Sequence, residues 1–294
     1  MLRGPTKPFV SRFAPSPTGL LHLGHAFSAL TAWDAAKAAG GEYLLRIEDL
    51  DEARARPQYE DAIYEDLAWL GLTWPEPVLR QSERLGLYAS AVERLGEMGL
   101  IYPCRCTRAD IRAALSAPQE GANLTTDSVY PGTCRHRSME ECGPGDAIRL
   151  DLERALAWLG GQTLTWRETG PAQAGVHAVD PESLRRRTGD VVLARKDIGA
   201  AYHLSVVVDD AAQGVTHVIR GEDLLEATPI HRLLQALLEL PVPAWHHHAL
   251  VRDTAGKRLA KRDDARAIRA YREAGQTPED VRRLALSALT KKAR

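Results

Sequence analysis

The chain has 294 residues, 44% of them hydrophobic, which is enough to bury a sizeable core in one large domain or two unequal ones and indicates neither a fibre nor a disordered chain. Its 38 Lys and Arg residues nearly balance its 39 Asp and Glu residues, so no global basic field announces a nucleic-acid partner, and any RNA contact has to be local. The uncharged stretch 13–33 is broken by Pro15, Pro17, Gly19, His22, Gly24 and His25, which argues against a membrane span. The first ten residues lack the apolar region and cleavage site of a secretory signal, so a cytoplasmic location is the default.

Taken in chain order, residues 9–13 predict a short strand. A Pro/Ser/Thr/Gly loop follows, and Leu23, Ala26, Leu30 and Trp33 then recur at helical spacing until Gly40-Gly41. Residues 43–47 predict a second strand with Glu48 and Asp49 at its carboxyl end, giving the strand, helix, strand order of a right-handed parallel unit. Pro57 opens a helix with Tyr59, Ile63, Leu67 and Leu70 on one face, and another helix is expected over about 83–98, before Gly99. From Pro103 to about Pro181 the pattern is irregular, as in an insertion. Residues 191–194, 202–208 and 216–220 are rich in β-branched side chains and read as strands. Thr228-Pro229 then caps a helix carrying Ile230, Leu233, Leu234 and Leu237. A basic loop and polar helices follow Val251, and no internal repeat is found. The fold expected is α/β, a parallel-sheet nucleotide-binding domain in two halves (1–103 and 191–250) around an insertion (104–190), with a loop and C-terminal helices over 251–294.

His22-Leu23-Gly24-His25 stands where a helix begins after the first strand. In open parallel sheets ligands sit at the carboxyl ends of the strands, a helix start offers unpaired N–H groups to phosphate, and two imidazoles can donate to phosphate oxygens. An ordinary helix start with partly buried histidines would carry the same residues. Downstream, Gly256-Lys257-Arg258-Leu259-Ala260-Lys261-Arg262 places four cations where they could surround a triphosphate, although such a run can also be a solvated surface. All four cysteines fall between Cys104 and Cys142, a clustering that in a reducing compartment favours a metal over disulfides. Three thiolates, Cys104, Cys106 and Cys134, with the phenolate of Tyr130 could complete a tetrahedral zinc site, and Cys142 competes with Tyr130 for the fourth position. The run His246-His247-His248 reads as strand-end packing and solvent contact, because adjacent residues of an extended segment alternate faces.

Together, Arg12-Phe13-Ala14-Pro15-Ser16-Pro17-Thr18-Gly19 and His22-Leu23-Gly24-His25 resemble the first signature of the class I glutamyl-tRNA synthetases. The segment Arg258-Leu259-Ala260-Lys261-Arg262 resembles their second, usually Lys-Met-Ser-Lys-Ser. Arg258 keeps the charge of the first lysine and Lys261 keeps the second, whereas Ala260 loses a hydroxyl. Tyr202-His203-Leu204, Asp209-Asp210 and residues 216–223 match in order between the signatures. The resemblance implies a Rossmann-like catalytic domain with a zinc-bearing insertion. It implies ATP held by His22, Leu23, Gly24, His25, Arg258, Leu259, Ala260, Lys261 and Arg262, with Mg²⁺ accompanying the nucleotide and His22, His25 and Lys261 acting in catalysis. It further implies a glutamate pocket of Arg12, Phe13, Ala14, Pro15, Ser16, Glu48, Tyr202 and Arg220, and one zinc on Cys104, Cys106, Tyr130 and Cys134. Two guanidiniums and one carboxylate match the two anions and one cation of glutamate, but which arginine meets which carboxylate stays open.

Only 32 residues follow Arg262, whereas the discriminating members of that family continue into a helical anticodon-binding domain. The expectation is therefore the family's short paralogues, which resemblance says attach glutamate to the queuosine base of tRNA(Asp). The partners expected are ATP, L-glutamate and that tRNA, with no membrane and no protein partner implied. Arg185, Arg186 and Arg187 are candidate phosphate contacts or a solvated surface. The alternatives are a minimal conventional synthetase acting at the tRNA 3′ end, a small-molecule adenylating enzyme, or a non-catalytic zinc-bearing RNA module.

Overall fold

The computed structural model describes residues 8–107, 109–111, 129–195, 199–251 and 266–290. Strand β1 (Val10–Phe13) is buried along its whole length and leads to helix α1 (Leu23–Ala38). The helix start is closed by its own histidines: His22 accepts from the Gly24 amide at 3.1 Å, and His25 accepts from the His22 amide at 3.2 Å. Strand β2 (Glu42–Ile47) returns parallel to β1, with Arg12 opposite Leu44. Helix α2 (Pro57–Trp69) begins on its proline, whose missing N–H would have had no partner there, and strand β3 (Leu79–Arg80) extends the sheet. Helix α3 (Leu85–Glu97) and strand β4 (Ile101–Cys104) lead out of this unit.

Strand β5 (Ala147–Leu150), helix α4 (Leu152–Trp158), strands β6 (Thr165–Glu168) and β7 (Gly175–Ala178), and strand β8 (Val192–Arg195) follow. Helix α5 (Tyr202–Ala212), strand β9 (His217–Gly221), helix α6 (Thr228–Leu237) and strand β10 (Ala244–His248) come next, and helices α7 (Ile268–Glu273) and α8 (Pro278–Thr290) are last. The larger sheet has the order β3-β2-β1-β9-β10-β6-β7, parallel except for the β6/β7 hairpin, and β4-β5-β8 form a separate antiparallel sheet. Strand pairing thus crosses the sequence divisions at 103/104 and 190/191.

The strand order reverses direction between β1 and β9, which meet at Ser11 and His217. Such a switch point leaves a crevice beyond the strand carboxyl ends. Here those ends carry Arg12, Glu48, Arg220 and His248 toward one place. The sheet is held from both faces. On one, Phe27 and Leu30 of α1 pack with Ile63 and Leu67 of α2 and with Ile268 and Val281 of the last helices. On the other, Leu204 and Val207 of α5, Leu233 and Leu234 of α6 and Trp245 form the core with Leu95 and Leu150. Ile63 and Leu67 are completely buried, so truncating either to Ala would cost about 2–5 kcal/mol.

One expectation fails locally. Residues 202–208, read as a strand, lie in helix α5, whose residues from Leu204 to Asp210 are all buried. A helix buried around its circumference shows no amphipathic stripe, and a short apolar run with three valines cannot be told from a core strand by periodicity. Burial against α3 and α6 outweighs the β preference of the valines. The strand expected at 191–194 exists as β8 but joins the small sheet.

Candidate active site

Arg12, Phe13, Ala14, Pro15, Ser16, Glu48, Tyr202 and Arg220 all line one cavity of about 400 Å³ in the crevice. The same cavity reaches His22, Gly24 and His25 at the start of α1. Leu23 turns its side chain into the core. Arg258, Leu259, Ala260, Lys261 and Arg262 lie outside the described residues.

The basic and acidic groups of the cavity are tied together from behind. Arg12 donates from Nε and Nη2 to Asp210 at 2.9 and 3.1 Å. Arg46, completely buried in β2, donates from Nη1 to Asp210 at 2.7 Å and to Gln213 at 3.0 Å, and from Nη2 to Glu48 at 3.1 Å. Asp209 accepts from Gln81, Arg84 and Tyr88 at 2.7–2.8 Å. Burial alone would raise the Asp210 carboxyl, but Arg12 and Arg46 overcome it and hold the group below its ordinary range. For Glu48 burial outweighs the pull of Arg46 and Arg12, and its carboxyl is pushed up. A carboxylate so placed gains from a cation arriving in the cavity.

Arg220 is only 5% exposed, and burial pushes its guanidinium below its ordinary value although an arginine stays charged. Its contacts are Tyr202, His231, Thr228, His247 and the Leu224 carbonyl, none of them a carboxylate. Burial raises the Tyr202 hydroxyl, so it remains a phenol that can donate. At the helix start the rings of His22 and His25 stack with centroids 3.8 Å apart. Each Nδ1 accepts a backbone N–H, so in the neutral rings the hydrogen sits on Nε2 and both imidazoles are donors at that atom. A Cβ at Gly24 would fall 3.0 Å from Cε1 of His22, so the glycine also makes room for this cap.

A parallel sheet with a nucleotide-type helix start beside a pocket of two arginines and a carboxylate is an arrangement with close relatives. The family model described as "tRNA synthetases class I (E and Q), catalytic domain" matches residues 8–291. The chain belongs to that family. It is 60% identical over 279 residues to a glutamyl-Q tRNA(Asp) synthetase of Rhodobacter capsulatus, covering 94% of this chain and 99% of the relative. A second glutamyl-Q tRNA(Asp) synthetase, from Nitratidesulfovibrio vulgaris, is 43% identical over 275 residues, covering 90% and 81%. Among solved structures, the chain resembles a glutamate tRNA ligase from Elizabethkingia meningosepticum in complex with its amino acid, with a TM-score of 0.72 and 28% identity. That match covers 92% of this chain and 59% of the ligase, so the chain spans about three fifths of that protein.

In this class I synthetase the insertion brings Cys104, Cys106 and Cys134 together, with their sulfur atoms within 4.8 Å of one another. Tyr130 Oη lies 3.3 Å from Cys104 Sγ and 3.5 Å from Cys106 Sγ, and Cys106 and Cys134 are 3.5 Å apart. Zinc–thiolate bonds of about 2.3 Å in a tetrahedron put sulfurs roughly 3.8 Å apart, so the triad could hold a metal with little movement. Cys142 is exposed and, among the described residues, is not part of this group. Arg149 lies over the Tyr130 ring at 3.9 Å and donates to the Asp190 carbonyl, tying the group to the small sheet. Arg185 pairs with Glu153 and Glu182, and Arg187 with Glu226, all at the surface. Among the described residues, no helix is long and apolar enough to cross a membrane.

Sequence reasoning missed the residues behind the synthetase pocket. Arg46 carried a signal, a charge within the otherwise apolar run 43–47, where a residue of that type is buried only when paired. His247, read as strand-end packing and solvent contact, is instead buried and bonded to Arg220. Glu168, which holds His247 from the other side, gave no sign.

Proposed function

We propose that the chain activates L-glutamate with ATP and transfers it to the queuosine base of tRNA(Asp). The observation that carries the first half is the convergence of Arg12, Glu48, Tyr202 and Arg220 on a cavity continuous with His22, Gly24 and His25. The relative that is 60% identical over 99% of its own length supports the second. Arg12 and Arg220 meet the two carboxylates of glutamate, Tyr202 donates its hydroxyl to one of them, and Glu48 takes the ammonium.

Held this way, an oxygen of the α-carboxylate attacks the α-phosphorus of ATP. A carboxyl–phosphate anhydride forms, the bond to the bridging oxygen breaks, and pyrophosphate leaves. Nε2–H of His22 and of His25 donates to phosphate oxygens, and Lys261, with Arg258 and Arg262, offsets the charge that builds on them. Mg²⁺ bound with ATP reduces the repulsion between carboxylate and triphosphate. A cyclopentene hydroxyl of queuosine then attacks the activated carbonyl and AMP departs. One zinc on Cys104, Cys106, Cys134 and Tyr130 staples the insertion and takes no part in the chemistry. The protein works in the cytoplasm.

The test is transfer of radiolabelled glutamate to tRNA(Asp) with and without queuosine. Label is expected only on the queuosine-bearing RNA, and it should survive removal of the terminal adenosine. Label lost with that adenosine would identify a conventional glutamyl-tRNA synthetase instead.

A further inference from the structure

Arg220 faces five acceptors within the protein, and the two at Nη1 are long enough for that nitrogen to give way to a substrate carboxylate. Nε donates to His247 Nε2 at 3.0 Å, Nη1 to Tyr202 Oη and His231 Nδ1 at 3.3 Å each, and Nη2 to the Leu224 carbonyl at 3.0 Å and Thr228 Oγ1 at 2.9 Å. Every one of these acceptors is uncharged. Burial and the adjacent Arg220 push the His247 imidazole down to about 4 and that of His231 well below its ordinary value. Arg12, by contrast, spends two N–H bonds on the carboxylate of Asp210. Among the described residues, the charge of Arg220 therefore has no carboxylate in direct contact.

The proton positions behind it follow from donor logic. A guanidinium can only donate, so Nε2 of His247 carries a lone pair and its ring hydrogen sits on Nδ1. That Nδ1 lies 2.5 Å from Oε2 of Glu168, which is 2% exposed. The other carboxylate oxygen accepts from the Gly170 amide at 2.6 Å and the His247 amide at 2.9 Å. The site is built to admit this carboxylate. A Cβ at Gly170 would fall 2.7 Å from Glu168 Oε1 and 2.3 Å from the His247 carbonyl oxygen, so the turn after β6 has no room for a side chain.

We propose that Glu168 and His247 are positioning residues for the amino-acid pocket. Glu168 fixes the tautomer of His247, and His247 fixes the guanidinium of Arg220 where its charge meets a substrate carboxylate. The inference rests on the reading of that pocket as the glutamate site. Glu168 balances Arg220 from one imidazole away, which stabilises the buried cation without placing a second anion beside the incoming carboxylate. This is the arrangement by which histidine ligands and catalytic histidines are commonly oriented, applied here to an arginine.

Glu168→Gln tests the relay. The amide oxygen can still accept the two backbone N–H groups, but its NH₂ then faces Nδ1–H of His247. Two donors cannot meet, so the imidazole moves its hydrogen to Nε2, against the N–H of Arg220. In glutamate-dependent ATP–pyrophosphate exchange the KM for glutamate should rise roughly ten- to a hundred-fold, with the KM for ATP unchanged within about twofold. His247→Leu should act in the same direction, and His247→Gln, whose side-chain oxygen can accept from Arg220, should recover most of the loss. In the unmutated chain, ¹⁵N-histidine NMR should find His247 protonated on Nδ1. That spectrum alone decides the matter if Glu168→Gln does not fold. A glutamate KM unmoved by Glu168→Gln, a loss that falls equally on ATP and glutamate, or an Nε2-protonated His247 in the unmutated chain overturns the assignment while leaving the pocket reading intact. Absence of glutamate-dependent exchange in the unmutated chain overturns the pocket reading and takes the relay's role with it.

Discussion

Asp210→Asn removes the one carboxylate on which Arg12 and Arg46 both rest. It accepts three charge-assisted bonds, at 2.9 and 3.1 Å from Arg12 and 2.7 Å from Arg46. Arg46 is completely buried and cannot turn to water when its partner is lost, and Arg12, 4% exposed, opens only onto the cavity. Glu48 at 3.1 Å and Asp209 at 4.0 Å remain near Arg46, but among the described residues no other carboxylate pairs with the Nε edge of Arg12. Breaking a buried pair typically costs about 3–5 kcal/mol, and the single oxygen kept by Asn puts the loss toward the lower end. Against a total of about 5–15 kcal/mol the variant should fold but be marginal. Urea unfolding followed by circular dichroism measures the difference. The effect also has a sign in pH. Asp210 titrates below its ordinary value when folded, so its contribution is complete above the unfolded value of about 3.9 and fades as pH falls through the folded one. The gap between the two proteins should therefore narrow on acidification below about pH 4. A loss under about 1 kcal/mol at neutral pH would refute the idea that Asp210 organises the two arginines.

Lys261→Ala should lower the rate of glutamate activation by roughly two to three orders of magnitude while leaving the KM for glutamate near its original value, if the lysine stabilises charge in the transition state; a change confined to glutamate affinity contradicts that role. Metal analysis of the purified protein should find one zinc per chain, lost in Cys104→Ser and Cys134→Ser and kept in Cys142→Ser. Zinc that needs Cys142 and ignores Tyr130→Phe would transfer the fourth position from the tyrosine to the cysteine.

The first strand, helix and second strand were legible because each signal is local: apolar spacing from Leu23 to Trp33, the stop at Gly40-Gly41, and the run 43–47 that ends at Glu48. Helix α5 was not, since a helix buried on all sides loses the stripe that separates the two periods. The small sheet was illegible for a different reason. Its pairs, such as Tyr102 with Arg149 and Ala147 with Arg195, join residues nearly fifty apart, and no local pattern marks which strand pairs with which. The same distinction divides the site. Arg12, Glu48, Tyr202 and Arg220 stood out through the resemblance of their surrounding segments. Their supports pair across 164 positions for Arg46 with Asp210 and 79 for His247 with Glu168, and residue types alone do not say which charges will meet.

Those supports bear on where the charge of ATP would be met in the proposed reaction. Arg12 and Arg46 are balanced by Asp210 and Glu48, Arg84 by Asp209, and Arg220 by Glu168 through His247. Asp223 adds a further acidic group to the cavity wall. Among the described residues the carboxylates around the pocket thus at least match the arginines in number, so a glutamate is met by individually placed guanidiniums rather than by net charge, and a triphosphate finds no surplus of positive charge there. His22 and His25, whose Nδ1 atoms accept backbone N–H groups, offer Nε2–H donors there. On the proposed reading the cations for the phosphates are those of Lys257, Arg258, Lys261 and Arg262, four within six residues. Arginine for lysine at position 258 keeps that sum, and Ala260 subtracts a hydroxyl and no charge. On the proposed reading, Lys261→Ala should therefore cost more glutamate-dependent pyrophosphate exchange than Ala260→Ser restores, and a larger effect at 260 would contradict it.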